Sequence, residues 1–167
     1  MRLQRVISII AGIFIYSCYY SFSQNLVPNY SFEYYTSCPI GGGQINNAYP
    51  WFNPTDNSPD YFNACNPNGN AGVDVPVNFL GHQDALTGNA YAGFGTVYSP
   101  SNLREYIETK LSDTLEGGKK YCVEFYISLA DSVRLATDYI GMYLSVDSIF
   151  SHGAGGESLA YLPYIPQ

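Results

Sequence analysis

Apolar and polar positions alternate most regularly in the second half of the chain. In YCVEFYISLA, Tyr121, Val123, Phe125, Ile127 and Leu129 share one face of an extended segment, and Cys122, Glu124, Tyr126 and Ser128 share the other. That period of two predicts a half-buried strand. YIGMYLSV, Tyr139 to Val146, predicts another, and NAYAGF a short one running to Gly95. LREYIETKL, Leu103 to Leu111, puts Ile107 and Leu111 on one face and Arg104, Tyr106, Glu108 and Lys110 on the other, with Glu105 interrupting the inner set. Asn25 to Glu33 reads as a short opening strand kinked at Pro28-Asn29. From Cys38 to Gly88 the pattern dissolves into turn signals, CPIGGGQ, WFNPTDNSPD and NPNGNAG among them. This predicts a long loop, which a compact domain tolerates when the loop is functional or pinned. Tyr49, Trp51, Phe52, Tyr61 and Phe62 are the aromatics able to pin it. Tyr61 and Phe62 are adjacent, so an extended segment turns at most one of them inwards.

Strands separated by turns, without an amphipathic helix, a repeat or heptads, predict an all-β antiparallel sandwich. Five strands are legible, whereas a jelly roll has eight. The expectation is an incomplete β-sandwich over residues 24–167, with C-terminal strands missing.

The 167 residues suffice for one domain. Charged residues make up 13 % and aromatics 16 %, with 17 Tyr, a balance that excludes a disordered chain. At the N-terminus Arg2 and Arg5 precede an apolar Val6 to Tyr16, and Ser21 and Ser23 offer a small-x-small cleavage site. Residues 1–23 read as a signal peptide. The apolar run is short for a membrane span. IYSC, ending at Cys18, leaves a lipoprotein signal as the other reading. Seven basic residues face fourteen acidic ones, and loss of Arg2 and Arg5 deepens the imbalance. An acidic chain disfavours nucleic acid and anionic membrane as partners.

Export permits disulfides. Cys38 and Cys65 share the turn-rich region and are paired on that ground. Closing such a loop stabilises by about 3 kcal/mol in the chain-entropy model. Cys122 is left as a buried free thiol or as a cysteine whose partner lies beyond the C-terminus.

NLVPNYSFE, Pro50-Trp51, TGNAYAGF, REYIETKLSDTLEGGKKYCVEFYISLAD and IGMYLS, in this order, resemble the galactose-binding-like β-sandwich of secreted carbohydrate-binding modules. More narrowly, SCP…GGGQINNAYPWFNPT…DYFNAC followed by YAGF and REYI is similar to the N-terminal region of Bacteroidetes surface proteins. The resemblance covers Asn25 to about Leu144. It implies an exported protein at the outer membrane surface or beyond, continued by a further C-terminal domain in the same polypeptide. It also implies a structural calcium at Glu33, completed by backbone carbonyls and by a carboxylate of the last strand, which is absent from this sequence. Calcium takes 6–8 oxygens, so Glu33 alone is insufficient, and an edge-strand Glu bonded to local backbone is the rival reading.

Trp51, Tyr61 and the Tyr34-Tyr35 pair can stack on sugar rings, with Asn53, Asp56 and Asp60 taking hydroxyls. The rival reading is core packing, favoured for Trp51 as the single Trp. NPNGNAGVD has oxygen ligands at a calcium-loop spacing, but Val77 stands where the terminal Glu belongs. SHGAGG echoes an oxyanion loop, yet no G-x-S-x-G elbow occurs. Asp56 and Asp60 could be a hydrolytic carboxylate pair, but nothing places them about a cleft. Asp131 and Arg134 read as a pair or a turn cap. The expected function is a non-catalytic surface module that binds glycan or another cell-envelope component. The alternatives are a structural or adhesive spacer and, last, a secreted hydrolase.

Overall fold

The computed structural model describes residues 24–66, 69, 72–96, 104–134 and 140–150. The signal-peptide segment, the SHGAGG loop, Asn68 and Asn70, Leu103 and Tyr139 lie outside them. Among the described residues the secondary structure is antiparallel β with one helical turn, a 3-10 helix over Ile45–Asn47. Strand β1, Asp60–Asn63, pairs with β4, Ala90–Gly93, in the register Asp60↔Gly93, Tyr61↔Ala92, Phe62↔Tyr91 and Asn63↔Ala90. Strands β2, Val77–Asn78, and β3, Gly81–His82, form a tight hairpin.

The β1–β4 ladder carries the core because both of its faces are covered. Tyr61 joins Ile45, Ala48 and Ala90, with Phe32, Trp51, Ala92 and Ile107 packed around them. Phe62 turns to the other face, its ring 5.0 Å from Tyr91 and 5.7 Å from Phe79. Tyr61 and Phe62 are therefore both fully buried, against the expectation that at most one points inwards. An adjacent pair is buried together when a strand is sandwiched. Phe62 lies so close to β4 that a Cβ on Gly93 would sit 2.6 Å from its ring. Glycine at that position is a packing requirement.

The predicted loop from Cys38 to Gly88 is corrected: it holds the 3-10 helix, β1, β2 and β3. Asn side chains supply several of its turns by bonding backbone two residues on. Asn53 Oδ1 accepts from Thr55 N, Asn63 Oδ1 from Cys65 N, and Asn78 Oδ1 from Leu80 N. The Cys38–Cys65 disulfide forms, with Cα atoms 5.9 Å apart.

The opening segment, Asn25 to Glu33, is a knot of turns and not a strand. Asn29 takes φ 46° and Phe32 φ 62°, the left-handed region in which Asn is among the more tolerant residues. Leu26 O accepts from Ser112 N at 2.9 Å, tying the segment far along the chain. NAYAGF does form a strand, β4, which ends at Gly93. From 104 to 111 a single bridge remains, Phe52↔Glu108, with reciprocal backbone bonds of 2.9 Å.

The strands expected at Tyr121 to Ala130 and Tyr139 to Val146 do not form among the described residues. Phe125 is 49 % and Ile127 61 % exposed, and Val146 is fully exposed. Alternation marks a segment that would present two faces, but a ladder needs a neighbour to bond. Among the described residues this segment joins no strand pairing, and Ser128 Oγ donates to Gln83 Oε1 at 2.5 Å. Cys122 is exposed, which removes the buried-thiol reading. Asp131 does not pair with Arg134. Its Oδ2 accepts from His82 N at 2.9 Å and closes the β2–β3 hairpin. Among the described residues no helix is long and apolar enough to cross a membrane.

Candidate functional site

Asn29 organises the surface most suited to contact. It is 9 % exposed, and its short amide reaches four backbone groups. Oδ1 accepts from Tyr34 N at 3.0 Å. Nδ2 donates to Tyr34 O and Tyr49 O at 2.8 Å each, with Ala48 O at 3.3 Å. Its own carbonyl accepts from Trp51 Nε1 at 2.9 Å and from Phe32 N at 3.0 Å. A buried amide satisfied on both ends rigidifies what it joins.

Here it joins residues 34–36 to residues 47–49, running in opposite directions. Thr36 N donates to Asn47 O at 2.8 Å, and Tyr34 stands opposite Tyr49 across the Asn29 side chain. Both of these tyrosines project outwards, 74 % and 66 % exposed, as does Tyr30 at 65 %. From Gln24 to Thr55 the only charged side chain is Glu33. Thr36, Ser37 and Asn46, exposed residues of that stretch near the outward tyrosines in the chain, carry uncharged hydroxyls and an amide.

The residues singled out in the sequence fall mostly beneath this surface. Trp51 is partly buried, its ring 5.1 Å from Phe32 and its indole N–H occupied. Tyr61 is wholly buried, which leaves its ring no face for a ligand. Its hydroxyl donates to Phe32 O at 2.8 Å and accepts from Asn63 Nδ2 at 2.5 Å. Burial pushes that hydroxyl up to about 12, with Asn63 opposing and the nearby Glu33 and Tyr35 adding. Asn53 spends its carbonyl on Thr55 and its amide on Asn57 O. The structure therefore does not bring Trp51, Tyr61, Asn53 and Asp60 together as an open binding surface.

Two carboxylates serve the backbone. Glu33 Oε1 accepts from Asn89 N at 2.7 Å, tying the opening knot to the start of β4. The close turn there has Gly88 at φ 69°, and a Cβ on it would lie 2.4 Å from Glu33 Oε1. Asp60 Oδ1 accepts from Gly43 N at 2.7 Å. Burial raises the Asp60 carboxyl above its ordinary value, the Gly43 bond opposes, and repulsion from Glu105 adds. Among the described residues no group of three or more His, Cys, Asp or Glu is placed to hold a metal ion.

Sequence reasoning met Asn29 only as a kink and Glu105 only as a break in alternation, and gave neither a role. Glu105 is buried, its Oε1 accepting from Ser58 N and Oγ at 3.1 and 3.2 Å and its Oε2 from Gly95 N at 2.6 Å. Its signal was the break in the apolar alternation: a carboxylate at an inward position needs donors waiting for it. Asn29 gave a weaker signal, an amide directly behind Pro28 at the kink of the opening segment. The chain matches no family model, and comparison with curated proteins and with solved structures returns no match.

Proposed function

We propose that the chain is a non-catalytic module of an exported surface protein and that it acts by binding a glycan or a neighbouring cell-envelope component. The observation that carries this reading is the charge-poor surface about Asn29, where tyrosines stand outwards on backbone fixed by a buried amide and by the Cys38–Cys65 disulfide. Exposed aromatics held rigidly are suited to recognition, because little side-chain freedom is lost on contact. The resemblance to galactose-binding-like modules of Bacteroidetes surface proteins supports the same reading. It adds a jelly-roll sandwich, a location at or beyond the outer membrane and a structural calcium at Glu33 to the proposal. The test is a glycan array together with peptidoglycan sedimentation, using the full-length protein. Binding to either supports the reading, and binding to neither sinks it.

A second reading, a structural spacer, draws on a separate observation. Tyr121, Val123, Phe125, Ile127 and Leu129 keep strand alternation while exposed. An unpaired segment of this kind is a template for strand addition. In this reading its partner is further strands of the same polypeptide. Hydrogen exchange on a chain extended beyond Gln167 tests it: protection gained across 121–129 supports the spacer, and unchanged exchange counts against it.

A further inference from the structure

We propose that Tyr34 and Tyr49, flanked by Tyr30, form an aromatic platform for an uncharged carbohydrate. The proposal rests on the glycan-binding reading above and assigns it residues and a ligand class. The geometry begins with Asn29 Nδ2, which lies 2.8 Å from both Tyr34 O and Tyr49 O. The two carbonyl oxygens are therefore within twice that distance of each other, so the two tyrosines are neighbours on adjoining segments. A further bond, Thr36 N to Asn47 O at 2.8 Å, continues the same alignment. Tyr30 follows Asn29 directly in the chain and is 65 % exposed, beside Tyr34 and Tyr49 at 74 % and 66 %.

Exposed aromatics scattered singly need no explanation, but two whose backbone is bonded to one buried amide are a built surface. Tyrosine presents a flat apolar face and a polar tip. The C–H face of a pyranose packs on such a ring, while its hydroxyls bond to uncharged donors and acceptors. Ser37 and Asn46, both exposed, supply hydroxyl and amide groups of that kind nearby in the chain. No charged side chain occurs from Tyr34 to Thr55. This stretch of chain thus supplies none of the basic groups that an anionic polysaccharide, a nucleic acid or a phosphorylated ligand calls for. The one carboxylate between Tyr30 and Tyr49 in the chain, Glu33, is engaged by Asn89 N at 2.7 Å. Trp51 and Tyr61 act beneath the platform as its support, through the Trp51–Asn29 and Tyr61–Phe32 bonds.

The experiment compares the wild-type chain, the double variant Tyr34→Ala/Tyr49→Ala and the ring-retaining Tyr34→Phe/Tyr49→Phe on an array of neutral and acidic glycans, with thermal melting of each. The expected result is binding of neutral glycans by wild type, a loss of about tenfold or more in the alanine variant at an unchanged melting temperature, and retention in the phenylalanine variant. Wild-type binding that the alanine variant keeps overturns the platform but leaves the glycan-binding reading standing. Loss in the phenylalanine variant as well, or preference for acidic glycans, also overturns the platform. Absence of binding by wild type removes both, and capture of a protein in its place counts against the carbohydrate.

Discussion

Residues 29–63 and residues 121–129 show two ways in which a β-rich chain meets the demands of its backbone. The first is dense in Asn, Gly and Pro and poor in alternation. It is nevertheless ordered, because short side chains bond nearby backbone and because Tyr61 and Phe62 bury both faces of β1. The second alternates cleanly and remains unpaired, its apolar face exposed. The difference lies in where the partners come from. An Asx turn finds its donor two residues away. A strand needs a second strand, and its pattern states only which face would be covered once that strand arrives. A turn-rich sequence can therefore carry the core while a strongly patterned one waits.

The largest effect expected is at the buried pair. Tyr61→Ala removes the ring that holds Ile45, Ala48 and Ala90 together and should cost about 3–5 kcal/mol by analogy with other large aromatic truncations. Chemical denaturation measures this, and a loss below about 1 kcal/mol would deny β1 its central place. Next comes the double substitution Cys38→Ser/Cys65→Ser, expected to cost about 3 kcal/mol for a loop of 27 residues' separation. Hydrogen exchange should rise across 38–65 and stay unchanged across 121–129. A rise in the second region would show that the two are coupled.

Asp60 offers a finer probe of the ordered region. Burial holds its carboxyl above the ordinary 3.8, so the folded chain binds that proton more tightly than the unfolded chain does. The stabilising contribution is complete below 3.8 and is lost as pH rises through the folded value. Asp60→Asn keeps an oxygen for Gly43 N and removes the ionisation. Its melting temperature relative to wild type should climb between about pH 3 and pH 7. A difference that shrinks over that range would contradict the burial of Asp60. The smallest effect belongs to the patterned segment: Phe125→Ser should leave stability within about 0.5 kcal/mol, since the ring already faces solvent. A cost above about 2 kcal/mol would mean that 121–129 is packed in solution, and the contrast between the regions would fail.

The legible parts of the sequence were those with local causes. The β-rich class, the NAYAGF strand and the pairing of Cys38 with Cys65 all follow from short-range composition and spacing. The knot around Asn29 was not legible as a knot. Its pattern, NLVPNYSFE, suits a kinked strand, and what decides otherwise is a set of carbonyls near residue 48 that no local rule brings close. Glu105 announced itself as an anomaly, but its donors, Ser58 and Gly95, come from two other stretches. At the candidate site the exposed aromatics were expected at Trp51, Tyr61 and the Tyr34-Tyr35 pair. The fold turns Trp51 and Tyr61 inwards, leaves Tyr34 and Tyr35 exposed and adds Tyr49, because burial of a given aromatic depends on what covers it.

The bond from Ser112 to Leu26 also has a consequence in time. The two residues are 86 apart, and Glu33 meets Asn89 across 56. A chain emerging from its N-terminus holds its first segment ready long before either partner exists. Until residue 112 has appeared, Leu26 has no backbone donor there, and each such closure costs more entropy than a local turn. Folding of this region is thus expected to finish late and nearly at once, with the earliest residues to emerge among the last to be fixed.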